Sequence, residues 1–124
     1  MAQTKRIGLA AGWLLAGMVA ASAANLVLPG YFGNTEGCDF LRTGAFNDDM
    51  HQVLTRGHLG SYGMSCTFVD VNADDNGVQR ADAICSHEGE EMMSAEDFII
   101  APSMVGMSVF TRDGELWGDL EACS

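Results

Sequence analysis

The stretch from Cys66 to Cys85 leaves this chain few ways to fold. Two β-capable arms flank the cluster Asp74-Asp75-Asn76-Gly77, and each arm carries a cysteine at its far end. Asp and Asn bond their own main chain and tolerate left-handed backbone, and Gly takes positive φ without steric cost, so the cluster is a turn. With a four-residue loop, Ala73 faces Val78. Stepping outward along both strands then brings Cys66 opposite Cys85. Facing residues on antiparallel strands have Cβ atoms close enough for a disulfide. A two-residue Asn76-Gly77 loop shifts the register and loses this match, so the cysteines select the longer turn. Closing a loop of this size stabilises the fold by ~3 kcal/mol in the chain-entropy model. The same register puts Met64, Cys66, Phe68, Ala81, Ala83 and Cys85 on a core face. Val69, Val71 and Ile84 fall on the other face, which some further element then partly covers.

The start of the chain reads as a bacterial secretory signal over residues 1–23. Lys5-Arg6 precede an uncharged apolar run, Ile7 to Val19, and Ala21-Ser22-Ala23 is a small-residue cleavage site before Ala24. An uncleaved membrane anchor is the rival reading of the same run. Residues 24–124 are then one disulfide-stabilised β-domain, periplasmic or secreted. All four cysteines fall within it, and an even count in an oxidising compartment reads as two disulfides. Four cysteines allow three connectivities. The hairpin favours Cys66–Cys85, which leaves Cys38–Cys123 to tie the two ends of the domain. Zinc is the alternative, but the cysteines lie too far apart for paired ligand knuckles.

Charge narrows the partners. The full chain carries 6 basic and 17 acidic residues, a net charge of -11. Without Lys5 and Arg6 only Arg42, Arg56, Arg80 and Arg112 face those 17 acids, giving −13. So acidic a surface repels nucleic acid and anionic lipid and attracts a cationic protein or a divalent metal. Solubility alone also accounts for it.

Taken in order, Ala24 to Gly37 is a leading segment broken by Pro29-Gly30 and Gly33-Asn34, with an edge strand as one option. Asn47 to Thr55 is the expected short helix, capped by Asn47 and ended by Gly57. Gly57 to Gly63 reads as a glycine-punctuated loop. Ser86 to Glu91 is an exposed acidic turn, Phe98 to Ala101 a strand stopped by Pro102, and Val105 to Arg112 another strand. A two-residue Asp113-Gly114 turn then returns the chain and sets Phe110 opposite Trp117. The expected class is mainly β: a small antiparallel β-barrel or sandwich with one short helix and two disulfides.

Candidate chemistry is thin. Asn72-x-Asp74-x-Asn76-Gly77 matches the front half of a calcium loop, but Ala83 stands where a bidentate Glu is needed. His87, Glu88 and Glu90 offer divalent-ion ligands at a turn, although such turns are usually just solvated. His51 and His58 have no spacing that ties them to a metal. Met92-Met93 and Met104-x-x-Met107 are adaptable apolar fillers or soft copper ligands. Ser65 lacks the second glycine of a nucleophile elbow. There is no lysine after Lys5 and no phosphate-cradling loop, so neither an enzyme nor a cofactor is expected.

The order of Cys38, a glycine-rich lead to Cys66, Ala83-Ile84-Cys85 before Glu88-Gly89-Glu90, Phe98-Ile99-Ile100, the Gly114 turn and Cys123 resembles small secreted four-cysteine β-domain proteins of proteobacteria. More distantly it is similar to periplasmic lysozyme inhibitors, disulfide-tied β-barrels that plug a cationic enzyme. Leu59-Gly60-Ser61-Tyr62 is similar to their Ser-Gly-x-x-Tyr loop in a different order. That likeness implies Leu59, Ser61 and Tyr62 as contact residues. The expectation is a non-enzymatic extracytoplasmic binding protein with a cationic partner, no nucleic acid, and no membrane once the signal is gone. The alternatives are an inhibitor of a lysozyme-like hydrolase, an envelope protein without a discrete ligand, and a weak divalent-metal module.

Overall fold

The computed structural model describes residues 24–45 and 50–124. The expected signal, 1–23, lies outside them. The chain forms a closed antiparallel barrel of eight strands in sequence order: β1 (Phe32–Gly33), β2 (Gln52–Leu54), β3 (His58–Ser61), β4 (Met64–Ala73), β5 (Gln79–His87), β6 (Ser94–Pro102), β7 (Gly106–Thr111) and β8 (Leu116–Ala122). Strand β1 pairs with both β2 and β8 and closes the cylinder. Alternation along the long strands turns Cys66, Phe68, Ala81, Ala83, Cys85, Phe98 and Ile100 inward, where they meet Leu54, Leu59, Val109 and Leu120 in one core. No helix among the described residues is long and apolar enough to cross a membrane.

Both disulfides are Cys66–Cys85 and Cys38–Cys123. The first arises from two compensating departures from the simple hairpin. The loop is one residue longer than expected, 74–78, and is closed by the Asp74 N–H donating to the Val78 carbonyl at 2.9 Å. Ala73 therefore faces Gln79, not Val78. A β-bulge at Val69 shifts the register back, so Cys66 still faces Cys85. The bulge also reverses the faces beyond it: Val71, expected outside, packs against the core.

The β7–β8 hairpin departs in the same way. The Thr111 N–H donates to the Glu115 carbonyl at 2.8 Å, so the loop is Arg112-Asp113-Gly114, three residues rather than two. Gly114 sits at φ 85, the left-handed position that such a loop requires. Phe110 consequently pairs with Leu116, and Trp117 is the bulged residue.

The helix is elsewhere than expected. Thr35–Thr43 forms α1, while residues 50–55 turn into β2 and 46–49 lie outside the described residues. Thr, Gly and Cys are poor helix formers, so caps and tertiary ties hold α1. Asn34 Oδ1 accepts from the Gly37 N–H at 2.7 Å and from the Gln52 N–H at 2.8 Å, joining the helix start to β2. Gly37 packs so tightly that a Cβ there would lie 1.8 Å from the Gln52 carbonyl oxygen. The Cys38–Cys123 disulfide fastens the same turn to the C-terminus. The expected Gly57–Gly63 loop is strand β3 followed by the two-residue turn Tyr62-Gly63.

Candidate functional site

Connections in an antiparallel barrel alternate between its ends. Residues 55–57, 74–78 and 103–105 connect strands at one end, and 62–63, 88–93 and 112–115 at the other. Strand β5 runs between the two, and its first and last residues, Gln79 and His87, both follow the inward alternation.

The Gln79 end is sealed by the leading segment. Ala24 N–H donates to the Phe68 carbonyl at 3.0 Å and Leu26 N–H to the Arg56 carbonyl at 2.6 Å. Leu26 and Leu28 are buried in the core. Gln79, 3% exposed, bonds both sides of one residue: its Oε1 accepts from Val27 N–H at 2.8 Å, and its Nε2 donates to the Val27 carbonyl at 2.9 Å. A buried amide is satisfied on both atoms, as burial requires.

At the other end a cleft of about 420 Å³ lies between the Tyr62-Gly63 turn and the end of β5. Ser61, Tyr62, Gly63 and Met64 line one side, and Ser86, His87 and Glu88 the other, with Ser65 between. The Glu88 N–H donates to the Gly63 carbonyl at 2.7 Å and joins the two sides. Behind the cleft His87 Nε2–H donates to Glu96 Oε2 at 2.6 Å, and Ser94 Oγ–H donates to the same oxygen at 2.8 Å. Partial burial pushes the Glu96 carboxyl up. The hydrogen bonds from His87 and Ser94 and the His87 charge outweigh it, and hold the group below its ordinary value.

A second imidazole sits beside the cleft. His58 Nε2 lies 3.4 Å from Ser65 Oγ, and burial pushes its pKa below the ordinary value, so the ring is neutral at pH 7. The hydroxyl contact thus belongs to His58 and the carboxylate contact to His87. A nucleophile–base–carboxylate chain needs one imidazole to make both.

The structure sorts the residues singled out by sequence. Ser61 and Tyr62 line the cleft, whereas Leu59 is fully buried in the core and is no contact residue. His87 and Glu88 share the cleft with them, and Glu90 folds back to donate its N–H to the His87 carbonyl at 3.0 Å. Asn72 lies in β4 opposite Arg80. Asp74 Oδ1 accepts from the Asn76 and Val78 amides at 2.8 and 3.0 Å, and Asn76 serves the same turn, so these are hairpin atoms. Among the described residues no group of three or more His, Cys, Asp or Glu is arranged to hold a metal ion. Met92-Met93 and Met104 lie in turns at opposite ends of the barrel, and Met107 packs against the core, so the four methionines do not converge.

Sequence reasoning missed Glu96 and Ser94, which reach His87 only through β5–β6 pairing. It also missed a carboxylate ladder on the outer face, where Asp70 faces Asp82 and Asp82 faces Asp97 across three strands. A hydrogen bond shared with Asp97, then desolvation and the charges of Asp97 and Asp70, push the Asp82 carboxyl above its ordinary value, against Arg80. No protein-family model matches the chain, and neither does any curated protein or solved structure.

Proposed function

We propose that this chain is a non-enzymatic binding domain of the periplasm or the exterior, and that it engages a cationic protein at the His87 end of the barrel. The observation that carries the reading is the cleft itself. It is walled by an exposed tyrosine and a methionine, and among the described residues the one carboxylate in its lining is Glu88. Exposed Met92 and Met93 and the acids Glu88, Glu90 and Glu91 belong to the neighbouring turn. Apolar contact area ringed by one sign of charge suits a partner of the opposite sign. Two disulfides favour an oxidising compartment. The division of the hydroxyl and carboxylate contacts between His58 and His87 supports binding over catalysis.

A second reading is inhibition of a lysozyme-like hydrolase. The Tyr62-Gly63 turn favours it, because Tyr62 is 54% exposed at a tight two-residue connection that a substrate groove could admit. The test is a pull-down from the native organism with the oxidised protein, at low and high salt. A basic partner held at low salt and released at high salt is the expected result, since screening weakens surface charge pairs. A hydrolase among the captures favours inhibition. No partner at any salt would remove both readings.

A further inference from the structure

We propose that the cleft at the His87 end receives a single lysine or arginine side chain of the partner, with Glu88 as its counter-ion and Tyr62 and Met64 as walls for its methylene stem. This rests on the binding reading above and assigns the ligand chemistry of that same site.

Size comes first. About 420 Å³ lies near the bottom of the ~300–1,000 Å³ range of small-molecule sites, which suits one long side chain better than a large ligand. The lining then selects charge. Glu88 is anionic, and Ser61 and Ser86 present hydroxyl oxygens that can accept. His87 spends its Nε2 on Glu96, so that nitrogen is already partnered outside the cleft lining. Among the described residues no Lys or Arg side chain lines the cleft. An anion would meet Glu88 unopposed, whereas an ammonium or guanidinium meets a carboxylate, lone pairs and the face of Tyr62.

Position is the third argument. Glu88 is tied by its backbone to Gly63, and its Oε2 lies 3.1 Å from where a Gly63 Cβ would stand. The missing side chain at residue 63 leaves room for this carboxylate over the turn beside Tyr62. Gly63 itself sits at φ 76, so a replacement would strain the turn as well as displace Glu88. Long basic side chains commonly lay their stems on apolar surface and their heads on a carboxylate.

The test is an amide-shift titration of the oxidised protein with acetyl-Gly-Lys-Gly-amide and its norleucine counterpart, which keeps the stem and drops the charge. Shifts should centre on Tyr62, Gly63, His87 and Glu88, with the lysine peptide binding about tenfold more tightly. Glu88→Gln should erase that difference and leave the spectrum of the free protein otherwise unchanged. Equal affinity for the two peptides, or shifts centred elsewhere, would overturn the assignment. A basic partner captured equally well by wild type, Glu88→Gln and Tyr62→Ala would overturn it too, while leaving the binding reading intact. Lysine-peptide binding in the cleft without any captured partner would do the reverse.

Discussion

Gln79 and His87 are the two ends of one strand, turned to the same interior, and they meet different fates. Gln79 is sealed beneath the leading segment, with both amide atoms bonded to Val27. His87 is about a third exposed, holds Glu96 through one nitrogen, and borders a cleft. Polarity and position in the strand are alike. What differs is the covering. A barrel end capped by a peptide segment gains backbone donors and acceptors that match a side-chain amide. At the other end the hairpin turns beside β5 leave its last inward residue partly at the surface. The first arrangement serves stability, and the second leaves groups free to bind.

This contrast can be broken most severely at the sealed end. Cys123 donates its backbone N–H to the Tyr31 carbonyl, next to the leading segment, and the Cys38–Cys123 disulfide ties this point to α1. The double variant Cys38→Ser/Cys123→Ser should lose about 4–5 kcal/mol in chemical denaturation, because the bond closes a long loop. Gln79→Leu should cost about 1–3 kcal/mol, since it removes both hydrogen bonds to the Val27 backbone. Native-state hydrogen exchange should show the Val27 amide opening first. At the other end Glu88→Gln should change stability by no more than about 0.5 kcal/mol, as exposed substitutions do. A cost there equal to that of Gln79→Leu would erase the distinction between the ends.

Smaller effects, visible in pH profiles of thermal unfolding, sharpen the same contrast. The folded pKa of Glu96 is lowered, so its contribution is present above the ordinary value of 4.5 and is lost as pH falls through the folded value. Glu96→Gln should remove that acid-side loss. The folded pKa of Asp82 is raised from 3.8, so its contribution has the opposite slope, being full below that value and lost as pH rises through the folded one. Asp82→Asn should flatten that slope and raise the melting temperature at neutral pH, where facing carboxylates repel. Equal profiles for wild type and Asp82→Asn would mean that the ladder is fully screened.

How much could be read in advance depends on how local the cause is. The Asp74–Gly77 turn and the cysteines flanking it identify the central hairpin and its disulfide. Even so, the five-residue loop and the Val69 bulge were hidden, because each shifts the register by one residue and the shifts cancel at Cys66 and Cys85. The helix was misplaced for a related reason. Asn47-Asp48-Asp49 carry cap signals, whereas α1 begins at Asn34 with weak propensity and is held by β2 and by a disulfide to the far end of the chain. In the cleft, Ser61, Tyr62, His87 and Glu88 each belong to a recognisable local pattern, but no spacing joins the first pair to the second.

By itself, then, the sequence pointed to a mainly β chain, to the inward face of the central hairpin between its cysteines and the bulge, and to the cysteine pairing that the structure shows. Strand alternation and turn chemistry act over a few residues, and the second pairing follows once the first is made. Closure into a barrel, the position of α1, the seal over Gln79 and the meeting of His87 with Glu96 were decided only by the tertiary structure. Each depends on strands far apart in sequence choosing their partners, and that choice is made by the shared core, which no single segment contains.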